Sequence, residues 1–472
     1  MAVTLRPYQE DLVAKVRDAF RTNRRVLVVS PTGSGKTVLF AYVTLNASVK
    51  GNTVTILAHR SEILDQISIA LDTMGVPHGR IQPGHDITDD PVTIGMVQTV
   101  GRRIEKIPKP SLLVVDEAHH AITGTYSNIM DAWPDVKILG VTATPKRLDG
   151  KGLHRAFDVL ILGPEMADLI AGGYLASYKY LAPPSVVDLS TVVKRMGDYQ
   201  IDQLAEAMDK RKITGDAIGH YRTYLDGRPA IAFCVTVAHA EHVAEQFRES
   251  GYNAASVDGS MGKEARALRM AGIGNGELNV LTSCELISEG VDVPVVSGAV
   301  LLRPTESLGL YLQQVGRCLR PKPDRSQAII LDHVNNVKHG MPDAIRKWTL
   351  ADTKIQADPT ARCEVCYRVF NSYPKWRDDQ TCEENPQPDE CILLALPQER
   401  GPKSGPDHVN GDLAILDPKP AWADGINIAT ARGPDYAELL KLADTEEKLR
   451  QIARLRSYKR GWVSYVLKSR PA

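Results

Sequence analysis

Short runs of aliphatic and β-branched residues alternate with stretches in which apolar positions recur every three or four residues, the pattern of strands alternating with amphipathic helices. In the first third of the chain the runs are RVLVV (25–29), TVTILA (53–58), SLLVV (111–115) and KILGVTA (137–143). Leu12, Val13, Val16, Ala19 and Phe20 predict a helix before the first of them. A second series follows from Arg228: PAIAFCV (229–235), NAASV (253–257), LNVLTS (278–283), SGAVLL (297–302) and QAIILD (327–332), with a helix expected from Val237 to Phe247 and closed by Gly251. Strands separated by helices specify parallel sheets covered on both faces, so two similar α/β units are expected.

The pattern sets the expected boundaries. One unit spans 1–165 and a second 228–340, with a connector over 166–227 that is broken at Pro183 and Pro184 and then helical. A cysteine-rich module is expected over 341–395, and a linker with a basic helical tail over 396–472. The length of 472 residues agrees with more than one core. The 57 Lys and Arg cancel the 57 Asp and Glu, which excludes a uniformly basic coat and confines any nucleic-acid surface to local patches. No apolar run approaches the ~18 residues of a membrane span, and the first twenty residues lack the form of a signal peptide. A soluble, cytoplasmic protein with no membrane partner is the expectation.

Two motifs carry chemistry. SPTGSGKT (30–37) follows the first strand and precedes a helical pattern, the context a phosphate-binding loop needs. There Gly33 and Gly35 let backbone N–H groups turn toward anionic oxygens, in a loop whose Pro31, Thr32 and Ser34 are candidate nucleotide contacts as well. Lys36 supplies a point charge, and the Thr37 hydroxyl a Mg²⁺ ligand. DEAH (116–119) ends the SLLVV strand, at the edge where ligands of open α/β sheets gather. Asp116 would hold Mg²⁺, and Glu117 would orient or deprotonate an attacking water. Both motifs point to ATP with Mg²⁺.

With these motifs and the others in order, the chain resembles the superfamily 2 helicases, in the branch shared by restriction-type motors, XPB-like translocases and RadD-like proteins of bacteria and phages. LRPYQ (5–9) resembles the adenine-reading element, which implies Arg6 and Gln9 as base contacts. AHRSEILDQ (58–66) and VQTV (97–100) resemble strand-tracking motifs, and TAT (142–144) the element that couples hydrolysis to domain movement. VDGSM (257–261), LTSCELISEGVDVP (281–294) and QQVGRCLR (313–320) resemble the motifs of the second unit. The resemblance covers about residues 5–320 and implies a fold of two tandem RecA-like domains. It implies Gln313, Arg317 and Arg320 as catalytic residues, the arginines neutralising charge on the transferring phosphoryl group, a contribution of ~10³–10⁵-fold in known arginine fingers. It places Gly290 and Asp292 near the ribose, and Arg60, Thr99, Gly259, Thr282 and Ser283 at backbone phosphates. The activity it implies is an ATP-dependent DNA helicase or translocase working in repair, recombination or replication, in a bacterial cell or a phage-infected host. An RNA helicase and a nucleotide-switched recruitment factor are the alternatives.

Cys363, Cys366, Cys382 and Cys391 crowd one short segment, while Cys234, Cys284 and Cys318 stand apart. A Cys-x2-Cys pair suits Zn²⁺, and RadD-like proteins carry a similar module. The longer second spacing leaves unligated thiols as the other reading. From Thr445 onward there are eight Lys and Arg against two Glu, and Tyr458, Trp462 and Tyr465 lie among the cations. A DNA-binding tail, a surface for repair or replication proteins, and a solvated helix ending in a docking Trp all fit that run.

Overall fold

The computed structural model describes residues 4–122, 124–146, 152–182, 192–195, 198–208, 211–284, 296–352, 360–363, 367, 369–371 and 393–395, with scattered positions from 440 to 466. The chain divides into two compact units, Met1–Gly405 and Pro406–Ala472. In the smaller unit Ala443, Leu449 and Ile452 are buried.

The first unit holds two lobes. In the first lobe, α1 (Pro7–Ala19) leads into β1 (Arg25–Val29), α2 (Lys36–Ser48), β2 (Val54–Ala58), α3 (Ser61–Thr73), β3 (Gly79–Ile81), β4 (Val92–Met96), α4 (Val97–Arg102), β5 (Leu112–Asp116), α5 (Gly124–Ala132), β6 (Lys137–Thr142) and β7 (Val159–Leu162). The sheet order is β3-β4-β2-β5-β6-β1-β7, with every pairing parallel. All residues of β2 and β5 are buried, as strands covered on both faces must be. One face packs on α1, α2 and α3 through Leu12, Val16, Phe40, Ile63, Leu64 and Ile67. The other packs on Val100, Ile129, Trp133 and Phe157.

The second lobe begins inside the expected connector. After α6 (Met166–Ala171) comes β8 (Tyr178–Leu181), then the hairpin β9 (Lys194–Arg195) and β10 (Asp198–Tyr199), α7 (Ile201–Met208) and α8 (Arg211–Tyr224). The repeating part follows: β11 (Ala230–Phe233), α9 (Val237–Glu249), β12 (Ala254–Val257), α10 (Lys263–Gly274), β13 (Val280–Ser283), β14 (Gly298–Leu301), α11 (Leu308–Gly316) and β15 (Ala328–Asp332). The order is β12-β13-β11-β14-β15-β8, again parallel, so residues 178–181 form an edge strand of this sheet. Tyr180 explains the recruitment: its hydroxyl donates to buried Asp332 at 2.8 Å, and its ring is 1 % exposed.

Beyond the lobes, β16 (Thr360–Cys363) pairs antiparallel with β17 (Val369–Asn371) and β18 (Leu393–Ala395). The segment expected to form the cysteine-rich module therefore contains a small antiparallel sheet. Cys366, Cys382 and Cys391 lie outside the described residues, as do the side chain of Cys363 and most of the basic tail. Among the described residues no group of His, Cys, Asp or Glu forms a metal cluster, and no helix is long and apolar enough to cross a membrane.

Candidate nucleotide site and nucleic-acid face

Strand register assembles the site. Val29 pairs with Thr142 and Asp116 with Val141, so the phosphate loop, DEAH and Thr-Ala-Thr all leave one carboxyl edge of the first sheet. Gly33 and Gly35 adopt φ of +83° and +78°, the left-handed region that a side chain disfavours. A Cβ at Gly35 would also lie 2.7 Å from Gln9 Nε2. No side chain caps α2 at Gly35, so its first N–H groups, the positive end of the helix dipole, face the loop.

Gln9 is buried, and its Nε2 donates to Ser34 O at 3.3 Å and Gly35 O at 3.2 Å. The Tyr8 hydroxyl donates to Ser34 O at 2.7 Å and accepts from Arg6 Nη1 at 3.0 Å. Arg6 in turn lies 5.0 Å from the ring of Tyr174, which meets Tyr8 edge-on at 5.2 Å. Arg6 and Gln9 thus stand together beside the loop. Tyr174 carries no motif, and only folding of the segment after α6 onto the loop reveals it.

Lys36 Nζ donates to the carbonyls of Ser30 and Pro31 at 3.2 Å each. Burial lowers its proton affinity, Glu117 and Asp116 pull it back up, and the charges of Arg317 and Arg320 press it down again. Both arginines are therefore near the lysine although they belong to the other lobe. Burial, then the neighbouring Glu117, push Asp116 up to about 7, with Lys36 offsetting part of the rise. Two crowded carboxylates, one with displaced titration, form a donor set whose chemistry fits a divalent cation.

Glu117 sits at φ 48°, ψ 51°, a left-handed conformation that costs a non-glycine residue ~1–3 kcal/mol and is concentrated at functional sites. Its N–H donates to Asp116 Oδ1 at 3.0 Å. His119 Nδ1 lies 3.3 Å from Glu117 Oε2 and 3.3 Å from Thr142 Oγ1. The Thr142 hydroxyl donates to Thr144 O at 3.0 Å and accepts from Thr144 N at 3.2 Å. A continuous polar chain thus runs from the Glu117 carboxylate to Thr-Ala-Thr.

From the opposite lobe, α11 closes the seam. Ser307 caps it by accepting from Leu310 N at 3.3 Å. Gly309 and Gly316 let it approach: a Cβ at the first would lie 3.0 Å from Thr144 Oγ1, and at the second 2.6 Å from Thr32 Cβ. Gln313 and Arg317 are buried on this segment, and burial lowers the proton affinity of Arg320. Gly290 and Asp292 lie outside the described residues.

The expected strand contacts occupy element ends of both lobes. Arg60 precedes α3, Thr99 is buried in α4, and Gly259 follows β12 with open space around its would-be Cβ. Thr282 is wholly buried and its hydroxyl donates to Ala240 O at 2.7 Å, so that side chain is committed inside its lobe. Ser283 is also buried, at the end of β13. Across the seam α3 and α10 exchange charge, with Lys263 to Asp65 at 2.9 Å and Arg266 to Glu62 at 2.7 Å.

Residues 2–147 match the family described as the res subunit of type III restriction enzymes, and residues 210–322 match the helicase conserved C-terminal domain. A 51.5 kDa protein of Lactococcus phage (isolate 7-9) is 36 % identical over 68 % of this chain and 68 % of its own length. A provisionally named ATP-dependent helicase, IRC3, of Saccharomyces cerevisiae is 29 % identical over 76 % of this chain and 55 % of its own. This chain thus spans about two thirds of the phage relative and little more than half of the yeast one. A fragment provisionally named as the HsdR subunit of a type I restriction enzyme from Vibrio vulnificus YJ016 shares the fold, with TM-score 0.57 and 21 % identity over 71 % of this chain and 65 % of its own. With α11, which leads into Arg317 and Arg320, packed on the phosphate loop between two lobes built on parallel sheets, and with these likenesses, the chain belongs to the superfamily 2 helicases of the restriction type, nucleic-acid-dependent ATPases.

Proposed function

We propose that the protein is a DNA helicase or translocase that couples MgATP hydrolysis at the seam between its lobes to movement on or remodelling of DNA, in repair, recombination or replication. The observation that carries this reading is the packing of α11 on the phosphate loop, where a Cβ at Gly316 would lie 2.6 Å from Thr32 Cβ and Arg317 is the next residue, a cradle from one lobe and cations from the other. Arg6 and Gln9 would hold the base, Gly290 and Asp292 the ribose, and the loop from Pro31 to Thr37 the phosphates. Thr37 and Asp116 would hold Mg²⁺, which, when bound, neutralises phosphate charge. Glu117 would orient the water, Gln313 would act beside the arginines, and Arg317 and Arg320 would stabilise charge on the transferring group. A strand would run past Arg60, Thr99, Gly259, Thr282 and Ser283, Thr282 acting through its main chain because its hydroxyl is occupied.

DNA is favoured over RNA by the restriction-enzyme family that the first lobe matches. The division at 1–165, 166–227, 228–340, 341–395 and 396–472, a structural Zn²⁺ on Cys363, Cys366, Cys382 and Cys391, and a cytoplasmic location belong to the same proposal. Metal analysis of the purified chain should find about one zinc per chain. The decisive experiment is an ATPase titration against single-stranded, duplex and forked DNA and against RNA, with Lys36→Ala alongside. DNA should stimulate more than RNA, and Lys36→Ala should abolish turnover. Undiminished DNA-stimulated hydrolysis by Lys36→Ala would remove the loop from catalysis, and stronger stimulation by RNA would reassign the substrate.

A further inference from the structure

After the last strand of the second lobe, residues 341–352 turn back and bind the first lobe. At the near end Arg346, 4 % exposed, knots the turn: Nη1 donates to Pro342 O and Ala344 O at 3.0 Å, and Nη2 to Met341 O at 2.8 Å and His339 O at 3.1 Å. Tyr311 of α11 ties the same turn, its hydroxyl donating to Gly340 O at 3.1 Å. At the far end the partners belong to the other lobe. His154 N donates to Leu350 O at 3.0 Å, Gly152 N to Asp352 Oδ1 at 2.6 Å, and Lys146 Nζ to Ala351 O. Leu350 packs into the core of the first lobe, and Trp348 packs against the cores of both. A cavity of about 30 Å³ at this junction is lined by Pro31 and Thr32 of the phosphate loop, Leu312 of α11, and Arg346 and Trp348.

From this placement we infer that residues 341–352 are a positioning strap: Trp348, Leu350 and Asp352, received by Lys146, Gly152 and His154, hold α11 and the Arg317–Arg320 turn that follows it against the phosphate loop before any nucleic acid arrives. The inference rests on the reading that hydrolysis occurs at the seam. A docked tether raises the effective concentration of one lobe at the other, and the rate of a step that needs closure scales with the closed fraction. The far anchor lies where that fraction matters, since Lys146 is two residues beyond Thr144 in the polar chain that reaches Glu117. A strand lying across both lobes supplies a second tether, so the strap governs ATP use chiefly when nucleic acid is scarce.

Gly152 offers a selective perturbation. A Cβ there would fall on the Leu350 carbonyl and 2.6 Å from Ala351 O, backbone atoms that cannot swing aside. Gly152→Ala should therefore expel the strap. Asp352→Ala is the second variant, because Asp352 is exposed and its loss introduces no clash while removing the acceptor for Gly152 N and the carboxylate 3.9 Å from His154 Nδ1. Docking is read by hydrogen exchange at the backbone amides of position 152 and of His154, and function by ATPase kinetics with and without saturating single-stranded DNA. Both variants should lose protection, show about a tenfold lower basal kcat/KM, and need more DNA for half-maximal stimulation, while kcat at saturating DNA stays within about twofold. Lost protection with unchanged basal kcat/KM would overturn the inference. Retained protection in both variants, or equal collapse of basal and stimulated kcat, would do so as well. Lys36→Ala separates the two readings: persistent hydrolysis there condemns the seam, whereas the amide protection reports the strap alone.

Discussion

Replacing Gly316 by alanine should leave the fold intact and cripple the ATPase. Gly316 is the last residue of α11, and a methyl group there would stand 2.6 Å from Thr32 Cβ and 2.7 Å from its Cγ2, where ordinary contact begins at 3.4 Å. Thr32 Cβ is fixed to the loop backbone, so the lobes must part locally by about 0.8 Å, the difference between those two separations. Within the helix, alanine is preferred to glycine by up to ~1 kcal/mol, so thermal stability should hold or rise slightly. Catalysis moves the other way, because misplacing reacting groups by ~1 Å costs roughly 10²-fold, about 2.7 kcal/mol of barrier. DNA-stimulated kcat, measured by phosphate release at saturating ATP and DNA beside a thermal melt, should fall about a hundredfold with the melting temperature unchanged. A variant that keeps kcat within about twofold of wild type would show that this contact plays no part in the reactive arrangement.

Other perturbations probe separate links. Burial alone would raise the Glu306 carboxyl, but hydrogen bonds from Lys338 and Tyr199 and the nearby Lys194 outweigh it and hold the group down at about 2. A lowered acid stabilises above its ordinary value of 4.5 and loses that contribution as pH falls toward 2, so Glu306→Gln should cost up to ~3 kcal/mol at pH 7 and progressively less below pH 4.5 in denaturant titrations. Asp116 has the opposite sign: with its carboxyl raised from 3.8 to about 7, the ligand-free protein loses stability as pH climbs through that window. Asp116→Asn should then melt higher than wild type at pH 8 in chelator, by up to ~4 kcal/mol, and the gap should close near pH 4. Thr142→Val cuts the chain from Glu117 to Thr144 and should lower strand displacement more than ATP turnover, measured on one forked substrate; equal losses would contradict a coupling role.

The chemistry was legible because it is local. A Gly-rich turn between strand and helix, or a carboxylate pair at a strand end, needs only a few consecutive residues. The nine apolar runs likewise became strands within a residue or two, since strands buried on both faces need unbroken aliphatic sequence. Other strands were not named from the sequence: β3 is three residues long, β8, YKYL, alternates polar and apolar residues at a sheet edge, and β4, VTIGM, and β7, VLIL, are short apolar runs. Tyr180 is fixed at that edge by its hydroxyl, which donates to Asp332, 152 positions away, beside the N–H groups of Val334 and Val337.

Adjacency across long separations came from packing. Arg317 and Lys36 lie 281 positions apart in sequence, and they share one site because α11 packs on the phosphate loop. The same packing lays Tyr174 against Arg6, seats Gly316 on Thr32 and returns Leu350 to His154. Periodicity specifies which face of an element is apolar, and so determined the layers of each lobe. It carries no information about which lobe meets which, because that choice follows from side-chain shape and charge at surfaces distant in the chain, here two glycines, a tryptophan and paired ions.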